Sequence, residues 1–121
     1  VRIGTAEIYR IVENLIEIED SIIIGQSYKG DQRIILFVKL NNGIEFSEEL
    51  ITKVKLEIKQ NCSPRHVPEI VLEINEIPYT INGKKVEIAV KKVIEGKEVS
   101  NKDALANPPS LDQFSSILEL N

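Results

Sequence analysis

The residues best suited to chemistry surround a lysine in a turn. Asn82-Gly83-Lys84-Lys85 joins a turn-forming dipeptide to a cation on a long stem, which suits a side chain that reaches out to a phosphate or a carboxylate. The segment is not a P-loop, because that motif requires G-x-x-x-x-G-K followed by Ser or Thr, and Pro78 stands where its first glycine would be. From spacing alone, a solvated turn lysine is the better interpretation.

The single histidine and the single cysteine fall in one loop. Cys62 and His66 alternate with Pro64 and Pro68, and the two prolines exclude a regular helix or a central strand there. Cys62 and His66 could form a nucleophile pair, but no third residue beside them would orient the histidine. They also cannot supply the four ligands of a zinc site. An ordinary thiol and a loop histidine bonded to backbone are the simpler interpretations, and we predict no metal site.

Composition limits the classes to which the chain can belong. Its 121 residues suit one domain, and a net charge of -4 with a pI near 5.1 argues against a nucleic-acid-binding module. No apolar stretch approaches the length of a membrane span. One cysteine cannot form an internal disulfide, which is typical of a reducing compartment and predicts a cytoplasmic protein. Because the chain contains no Met and begins at Val1, we expect it to be one piece of a longer polypeptide.

Hydrophobic spacing predicts a small α+β domain, with a sheet of about three strands and flanking helices. The predicted order is helix, strand, strand, helix, strand, helix. The first two strands are expected to form a hairpin, Gly96 is expected to end the third helix, and residues 111–120 are expected to form a short helix or an arm. The predicted helices cover 5–17, 47–61 and 86–93, and the predicted strands cover 21–25, 33–40 and 69–75.

Two motifs carry a family resemblance. The N-terminal stretch with Arg2, Gly4 and Glu7 is similar to the Arg-hydrophobic-Gly-x-x-Glu pattern that follows the hinge in adenylate-forming acyl-CoA synthetases. Residues 78–84 resemble their Pro-x-Thr-x-Ser-Gly-Lys loop, with Asn82 in place of the usual Ser. Within that superfamily, residues 63–68, 83–91 and the tail segments 104–108 and 111–114 resemble the acetoacetyl-CoA synthetase family.

The resemblance implies a fold and an activity. The fold is the C-terminal lid domain of adenylate-forming enzymes, with a core at residues 1–96 and a family-specific tail at 97–121. The activity is ATP-dependent ligation of acetoacetate to CoA through an acyl-adenylate, assisted by Mg2+, in ketone body and lipid metabolism. The implied partner is a large N-terminal domain of the same polypeptide, which would hold most of the ATP, CoA and Mg2+ contacts. The lid alternates between adenylation and thioester formation, so the fragment alone is expected to be inactive.

The resemblance also assigns roles to individual residues. Lys84 corresponds to the catalytic lysine that bridges the reacting carboxylate and the α-phosphate, and in relatives it is a site of acetylation. Arg2 corresponds to an arginine that contacts the phosphates of ATP. Lys59, or alternatively Lys55, corresponds to a basic residue that could meet the phosphates of CoA, although a solvated helix lysine is the simpler interpretation. Glu7 matches a family glutamate, although its position in the first turn of a helix is a sufficient local explanation.

A second interpretation stays open at this point. A chain with this fold and without catalytic activity could serve as a stand-alone interaction module. An upstream nucleotide-binding domain in the same reading frame would favour the ligase, whereas a reading frame that starts near Val1 would favour the module.

Overall fold

The order of helices and strands confirms the predicted α+β class. The computed structural model describes residues 5–28, 31–62, 64, 67–97, 99 and 105–114. Among these residues no helix is long and apolar enough to cross a bilayer. The elements are α1 (Thr5–Glu13), β1 (Ile18–Tyr28), β2 (Asp31–Leu40), α2 (Glu48–Asn61), β3 (Ile70–Glu73), α3 (Glu87–Ile94) and a 3-10 helix (Pro108–Phe114).

The chain divides into two structural units, Val1–Glu73 and Ile74–Asn121. The first unit holds the sheet with α1 and α2. The second unit holds the lysine turn, α3 and the 3-10 helix. The predicted lysine site therefore belongs to the second unit, and its local support comes from that part of the chain.

The sheet of the first unit has the strand order β1-β2-β3. β1 and β2 form the expected antiparallel hairpin, and β3 then pairs parallel to β2, with Ile35 opposite Ile70 and Phe37 opposite Leu72. A parallel pair needs a long crossover connection, and α2 lies within the connection between β2 and β3. Because β2 is the central strand, its run of residues 35–38 is fully buried on both faces.

One face of this sheet packs against α1 and α2. Leu36 and Val38 of β2 share a core cluster with residues on those two helices, where apolar side chains recur at helical spacing. The fully buried helical members are Ile8, Val12, Val54 and Ile58. The hydrophobic stripe of each helix therefore fixes which side of the helix meets the sheet.

Helix α1 is also held to the edge strand β1 by polar contacts. The backbone N–H of Ile23 donates to the hydroxyl of Tyr9 at 2.8 Å, and the hydroxyl of Ser21 donates to a carboxylate oxygen of Glu13 at 2.9 Å. An edge strand presents backbone groups that no neighbouring strand satisfies. Tyr9 satisfies one of these groups, so α1 covers the edge as well as one face.

The predicted end of the first helix at Glu17 is wrong, because α1 ends at Glu13. After it the chain tightens into turns, in which Leu15 N–H donates to the Val12 carbonyl and Ile18 N–H donates to the Leu15 carbonyl, each at 3.1 Å. Ile16 is 83% exposed, so it does not belong to the apolar stripe that predicted the longer helix. The chain must turn here to enter β1 in register with β2.

Helix α2 follows the sequence prediction closely. Ser47 is the N-cap, and its hydroxyl oxygen accepts the backbone N–H of Leu50 at 3.3 Å. Leu50, Val54 and Ile58 are the buried side of the helix, and Cys62 N–H closes its last turn on the Ile58 carbonyl at 2.8 Å. The cap and the apolar spacing are local signals, which is why both ends were predictable.

A salt bridge makes part of the stability of the first unit depend on pH. Lys53 Nζ lies 2.6 Å from Glu17 Oε2, and the hydrogen bond from Lys53 holds the pKa of Glu17 below its ordinary value of 4.5. A carboxyl group whose pKa is lowered by folding stabilises the fold above its unfolded pKa, and this contribution is lost as pH falls through the folded pKa. We expect Glu17→Gln to lower the free energy of unfolding at neutral pH and to have little effect in acid below the folded pKa.

Urea unfolding followed by circular dichroism at neutral and acidic pH measures this difference. The control introduces Glu17→Gln into a Lys53→Gln background. Because the cation is then absent, Glu17→Gln should change the free energy of unfolding by the same amount at both pH values. An equal effect of Glu17→Gln at both pH values would contradict the prediction.

In the second unit, α3 ends as the sequence predicts. Gly96 has φ 76° and lies at the C′ position of a Schellman motif. In this motif Lys97 N–H donates to the Lys92 carbonyl at 2.8 Å, and Gly96 N–H donates to the Val93 carbonyl at 3.1 Å. Glycine adopts this positive φ without the penalty that a Cβ would impose.

The described part of the predicted tail packs against α3. The 3-10 helix contacts α3, and Leu105, Leu111 and Phe114 are buried. The predicted helix or arm at residues 111–120 corresponds in part to this 3-10 helix, and residues after 114 lie outside the described residues. The boundary between a domain core and a tail at residues 96 and 97 stays a prediction.

Candidate functional site

Lys84 follows directly after a tight hairpin turn. Gly83 N–H donates to the Thr80 carbonyl at 2.9 Å, and Thr80 N–H donates to the Lys84 carbonyl at 2.8 Å. Gly83 has φ 82°, so the loop is a three-residue hairpin connection with glycine in the left-handed region. Ile81 and Asn82 form the exposed tip. The Asn-Gly pair therefore does what the sequence predicted, which is to turn the chain immediately before the lysine.

Thr80 fixes the backbone of Lys84 from both directions. In addition to the bond from Thr80 N–H to the Lys84 carbonyl, Lys84 N–H donates to the hydroxyl oxygen of Thr80 at 3.1 Å. Both backbone polar groups of the lysine are thus bonded to one residue. The side chain of Lys84 is exposed. The arrangement combines a fixed base with a solvated cation on a flexible stem, which suits a group that must reach an anionic ligand.

The arm that carries Lys84 continues into α3. Tyr79 and Lys85 form an antiparallel bridge, and Val86 N–H donates to the Pro78 carbonyl at 3.3 Å. Helix α3 begins at the next residue, Glu87. The lysine is therefore held between a hydrogen-bonded strand on one side and the first turn of a helix on the other.

A second segment pairs with the opposite side of residues 78–80. Ala106 N–H donates to the Tyr79 carbonyl at 2.9 Å, Tyr79 N–H donates to Asn107 Oδ1 at 3.0 Å, and Thr80 forms an antiparallel bridge with Leu105. Residues 78–80 are thus the middle strand of a small three-stranded ribbon, with the Lys84 arm on one side and the tail on the other. We call this feature the lysine ribbon. The sequence predicted the lysine turn but no strand on either side of it.

The other predicted site residues lie in the first unit or outside the described residues. Arg2 and His66 are outside them. Lys59 is exposed in the last turn of α2, and Lys55 Nζ donates to the Glu69 carbonyl at 3.4 Å, between α2 and the approach to β3. Lys59 belongs to the first unit and Lys84 to the second, and the roles predicted for Arg2 and Lys59 stay predictions.

Cys62 does not have the character of an activated nucleophile. Its Sγ donates to Glu7 Oε2 at 3.8 Å, within the first unit. Burial raises the pKa of the Cys62 thiol, and the adjacent Glu7 carboxylate raises it further. A nucleophilic cysteine needs its thiolate form, so this environment favours the inert thiol that the sequence suggested. Glu7 therefore contacts the Cys62 thiol in addition to lying in the first turn of α1.

The described residues contain no evident metal centre. Nowhere among them do three His, Cys, Asp or Glu side chains come together as metal ligands would.

Comparison with known proteins finds close similarity to one group of enzymes. Acetoacetyl-CoA synthetase from Xenopus tropicalis is 52% identical over 121 residues, which cover 99% of this chain. The acetoacetyl-coenzyme A synthetase of Rhizobium meliloti (strain 1021) is 48% identical over 120 residues. Among solved structures, acetoacetyl-CoA synthetase from Streptomyces lividans matches 95% of the chain with a TM-score of 0.88 and 37% identity. In sequence and fold, the chain matches the C-terminal domain of acetoacetyl-CoA synthetases.

The match concerns a small share of each relative. The chain spans 18% of the length of the Xenopus and Rhizobium acetoacetyl-CoA synthetases and 18% of the Streptomyces chain. No family model matches the sequence. The family resemblance that the motifs at residues 2–7 and 78–84 predicted is confirmed, and so is the α+β fold that it implied.

The sequence predicted the lysine turn of this acetoacetyl-CoA synthetase-like domain but not the residues that support it. Thr80 lies within the predicted motif at residues 78–84, and Asn107 lies within the tail segment at residues 104–108, but neither residue stands out there. A usable signal was present, since an Asn before Pro108 and Pro109 is typical of a residue whose side chain bonds to nearby backbone at a turn. Local pattern could not reveal that the bonded backbone would be that of residues 77 and 79.

Proposed function

We propose that the chain is the C-terminal domain of an ATP-dependent acetoacetate–CoA ligase and supplies its adenylation lysine, Lys84. The observation that carries the proposal is the hairpin that fixes the backbone of this lysine while leaving its side chain exposed. Similarity along nearly the whole chain to proteins named acetoacetyl-CoA synthetase supports the choice of reaction. The overall conversion is acetoacetate, ATP and CoA to acetoacetyl-CoA, AMP and pyrophosphate.

The first step explains why a positioned cation is needed. A carboxylate oxygen of acetoacetate attacks the α-phosphorus of ATP, a new phosphorus–oxygen bond forms, and pyrophosphate leaves. Two anionic groups must approach each other, so negative charge accumulates between them in the transition state. An ammonium group that contacts both the carboxylate and the α-phosphate oxygens lowers this barrier electrostatically. Because the turn already fixes the backbone of Lys84, less freedom is lost when the side chain engages.

The second step forms the thioester. The thiol of CoA, after losing its proton, attacks the acyl carbon of the adenylate, and AMP leaves with its phosphate oxygen. We propose that Lys59 meets the phosphates of CoA, since its side chain is exposed whereas Lys55 donates to a backbone carbonyl. We also propose that Arg2 contacts the phosphates of ATP, where a guanidinium can bind two oxygens at once.

The remaining contacts are proposed to lie in a large N-terminal domain of the same polypeptide. The relatives are several times longer than this chain, which supports a division of labour in which that domain holds acetoacetate, ATP and Mg2+. When bound, Mg2+ would neutralise phosphate charge. We further propose a cytoplasmic enzyme of ketone body metabolism, in keeping with the single cysteine and with acetoacetate as substrate.

The proposal is tested with protein expressed from the complete reading frame. We expect it to release pyrophosphate when ATP, Mg2+ and acetoacetate are present, and to form AMP and acetoacetyl-CoA only when CoA is added as well. We expect the isolated 121-residue chain to form none of these products. Each assay is paired with a control that lacks acetoacetate. Pyrophosphate release by the isolated chain would contradict the predicted need for a second domain. A complete protein that binds a partner but never consumes ATP would instead favour the non-catalytic module.

A further inference from the structure

We propose that Asn107 is a positioning residue for Lys84, acting through the middle strand of the lysine ribbon. The proposal rests on the role proposed for Lys84 and extends it to the C-terminal tail. It gives the tail a specific task in adenylation, which is to hold the strand to which the lysine turn is bonded.

The side chain of Asn107 uses both ends of its amide on the segment before the lysine turn. Oδ1 accepts Tyr79 N–H at 3.0 Å. Nδ2 donates to the Ile77 carbonyl at 3.0 Å and to Glu76 Oε1 at 2.7 Å. A single side chain therefore satisfies backbone groups on both sides of Pro78, a residue that has no N–H of its own to donate.

Asn107 is linked to Lys84 through two consecutive residues of the middle strand. In an extended strand, successive residues direct their backbone N–H and carbonyl groups to opposite sides. The N–H and the carbonyl of Tyr79 both face the tail, where they bond to Asn107 and Ala106. The N–H, the carbonyl and the hydroxyl of Thr80 bond instead to Gly83 and Lys84. Tyr79 and Thr80 are consecutive, so a shift of one displaces the other. Loss of the Asn107 amide would therefore loosen the base from which Lys84 extends.

Asn107 is itself well anchored, which a positioning residue requires. Its carbonyl accepts both the N–H of Ser110 at 3.0 Å and the hydroxyl of Ser110 at 2.7 Å. Ser110 is buried, as are Leu111 and Phe114 in the 3-10 helix that contacts α3. The tail thus has a small core of its own, and Asn107 projects from it onto the lysine ribbon.

Gln113 provides a matched comparison within the same tail. Its Nε2 donates to the Glu76 carbonyl, and its Oε1 accepts Asn75 N–H at 2.9 Å. Gln113 thus ties the tail to the same segment as Asn107 does, but its bonds stop before Ile77 and reach neither Tyr79 nor Thr80. Removing it should cost tail stability without releasing the strand that holds Lys84.

The experiment compares Asn107→Ala with Gln113→Ala in protein from the complete reading frame. Acetoacetate-dependent exchange of pyrophosphate into ATP measures adenylation, and thioester formation from preformed acetoacetyl-adenylate measures the second step. We expect Asn107→Ala to slow adenylation by about 10- to 100-fold, the scale of a small misplacement of a catalytic group. We expect the thioester step of Asn107→Ala to stay within about twofold of wild type, because the proposed role of Lys84 concerns adenylation. We expect both steps of Gln113→Ala to stay within about twofold as well, because Gln113 makes no bond to Tyr79.

A double variant tests whether Asn107 acts through the lysine. In a Lys84→Ala background, Asn107→Ala should cause no further loss of adenylation, because effects that share one route are not additive. An equal slowing by Gln113→Ala, or a full additional loss in the Lys84→Ala background, would overturn the proposal. If Asn107→Ala proves insoluble, Asn107→Leu decides instead, since it keeps a side chain of similar size but removes the acceptor for Tyr79 N–H and both donated bonds. A wild-type adenylation rate in Asn107→Leu would also overturn the proposal.

The two proposals fail in different ways. If Lys84→Ala keeps its adenylation activity, the proposed function of the lysine is wrong. If Lys84→Ala loses that activity while Asn107→Ala keeps the wild-type rate, only the positioning role of Asn107 is wrong.

Discussion

Replacing Lys84 by alanine is expected to reduce acetoacetyl-adenylate formation by at least about 100-fold, the scale of losing one group that stabilises charge in a transition state. Thioester formation from preformed adenylate should change by less than about threefold, because no carboxylate attacks phosphorus in that step. The structure indicates that this variant changes the side chain without disturbing the turn. Lys84 is bonded to Thr80 through its backbone alone, so alanine should remove the cation and leave the hairpin in place.

The two half-reactions are measured separately in protein from the complete reading frame. Lys85→Ala is the neighbouring control, because it removes a lysine one position away that is partly buried rather than exposed. Lys84→Gln, which resembles an acetylated lysine in lacking the charge, should behave like Lys84→Ala. Equal losses in both half-reactions would refute the assigned role, and so would an equal loss of adenylation in Lys85→Ala.

The second large effect concerns the core of the first unit. Leu36→Ala is expected to lower the free energy of unfolding by about 2–5 kcal/mol, the range for a buried leucine whose removal leaves a cavity. Leu36 is fully buried on the central strand, in the cluster that joins the sheet to α1 and α2. Because β2 is paired with β1 and β3 and is covered by α1 and α2, its surroundings have little freedom to collapse into the cavity that Leu36→Ala would leave.

Hydrogen exchange of the β2 amides in the complete protein measures this loss as faster opening of the strand. Leu56→Ala on α2 is the matched control, because it makes the same substitution at a side chain that is 50% exposed. Its effect should be below about 0.5 kcal/mol, as for surface positions. Similar exchange in the two variants would contradict the view that the face shared by α1, α2 and β2 holds the unit together.

Local signals account for what the sequence predicted well. Helix α2 was predictable because Ser47 caps it and because Leu50, Val54 and Ile58 recur on one side. The Lys84 turn was predictable because Gly83 adopts a positive φ that few other residues tolerate. In each case the deciding atoms lie within a few residues of one another along the chain.

Distant partners explain where sequence reasoning stopped. Helix α1 is shorter than predicted because the chain after Glu13 must turn into β1, and Asn41 contributes by donating its side-chain amide to the Ile16 carbonyl at 2.8 Å. The parallel pairing of β3 with β2 and the bonds of Asn107 to residues 76–79 also join segments that are far apart in sequence. Hydrophobic spacing carries no information about such partners.

The bonding of the lysine hairpin constrains the number of its residues more strongly than their identity. Ile81 and Asn82 lie at the exposed tip, whereas the bonds that close the loop join Thr80 to Gly83 and Lys84. Natural variation should therefore exchange the side chains of Ile81 and Asn82 freely. Single-residue insertions and deletions between Thr80 and Lys84 should be rare, because each would turn the lysine toward the opposite face of the ribbon.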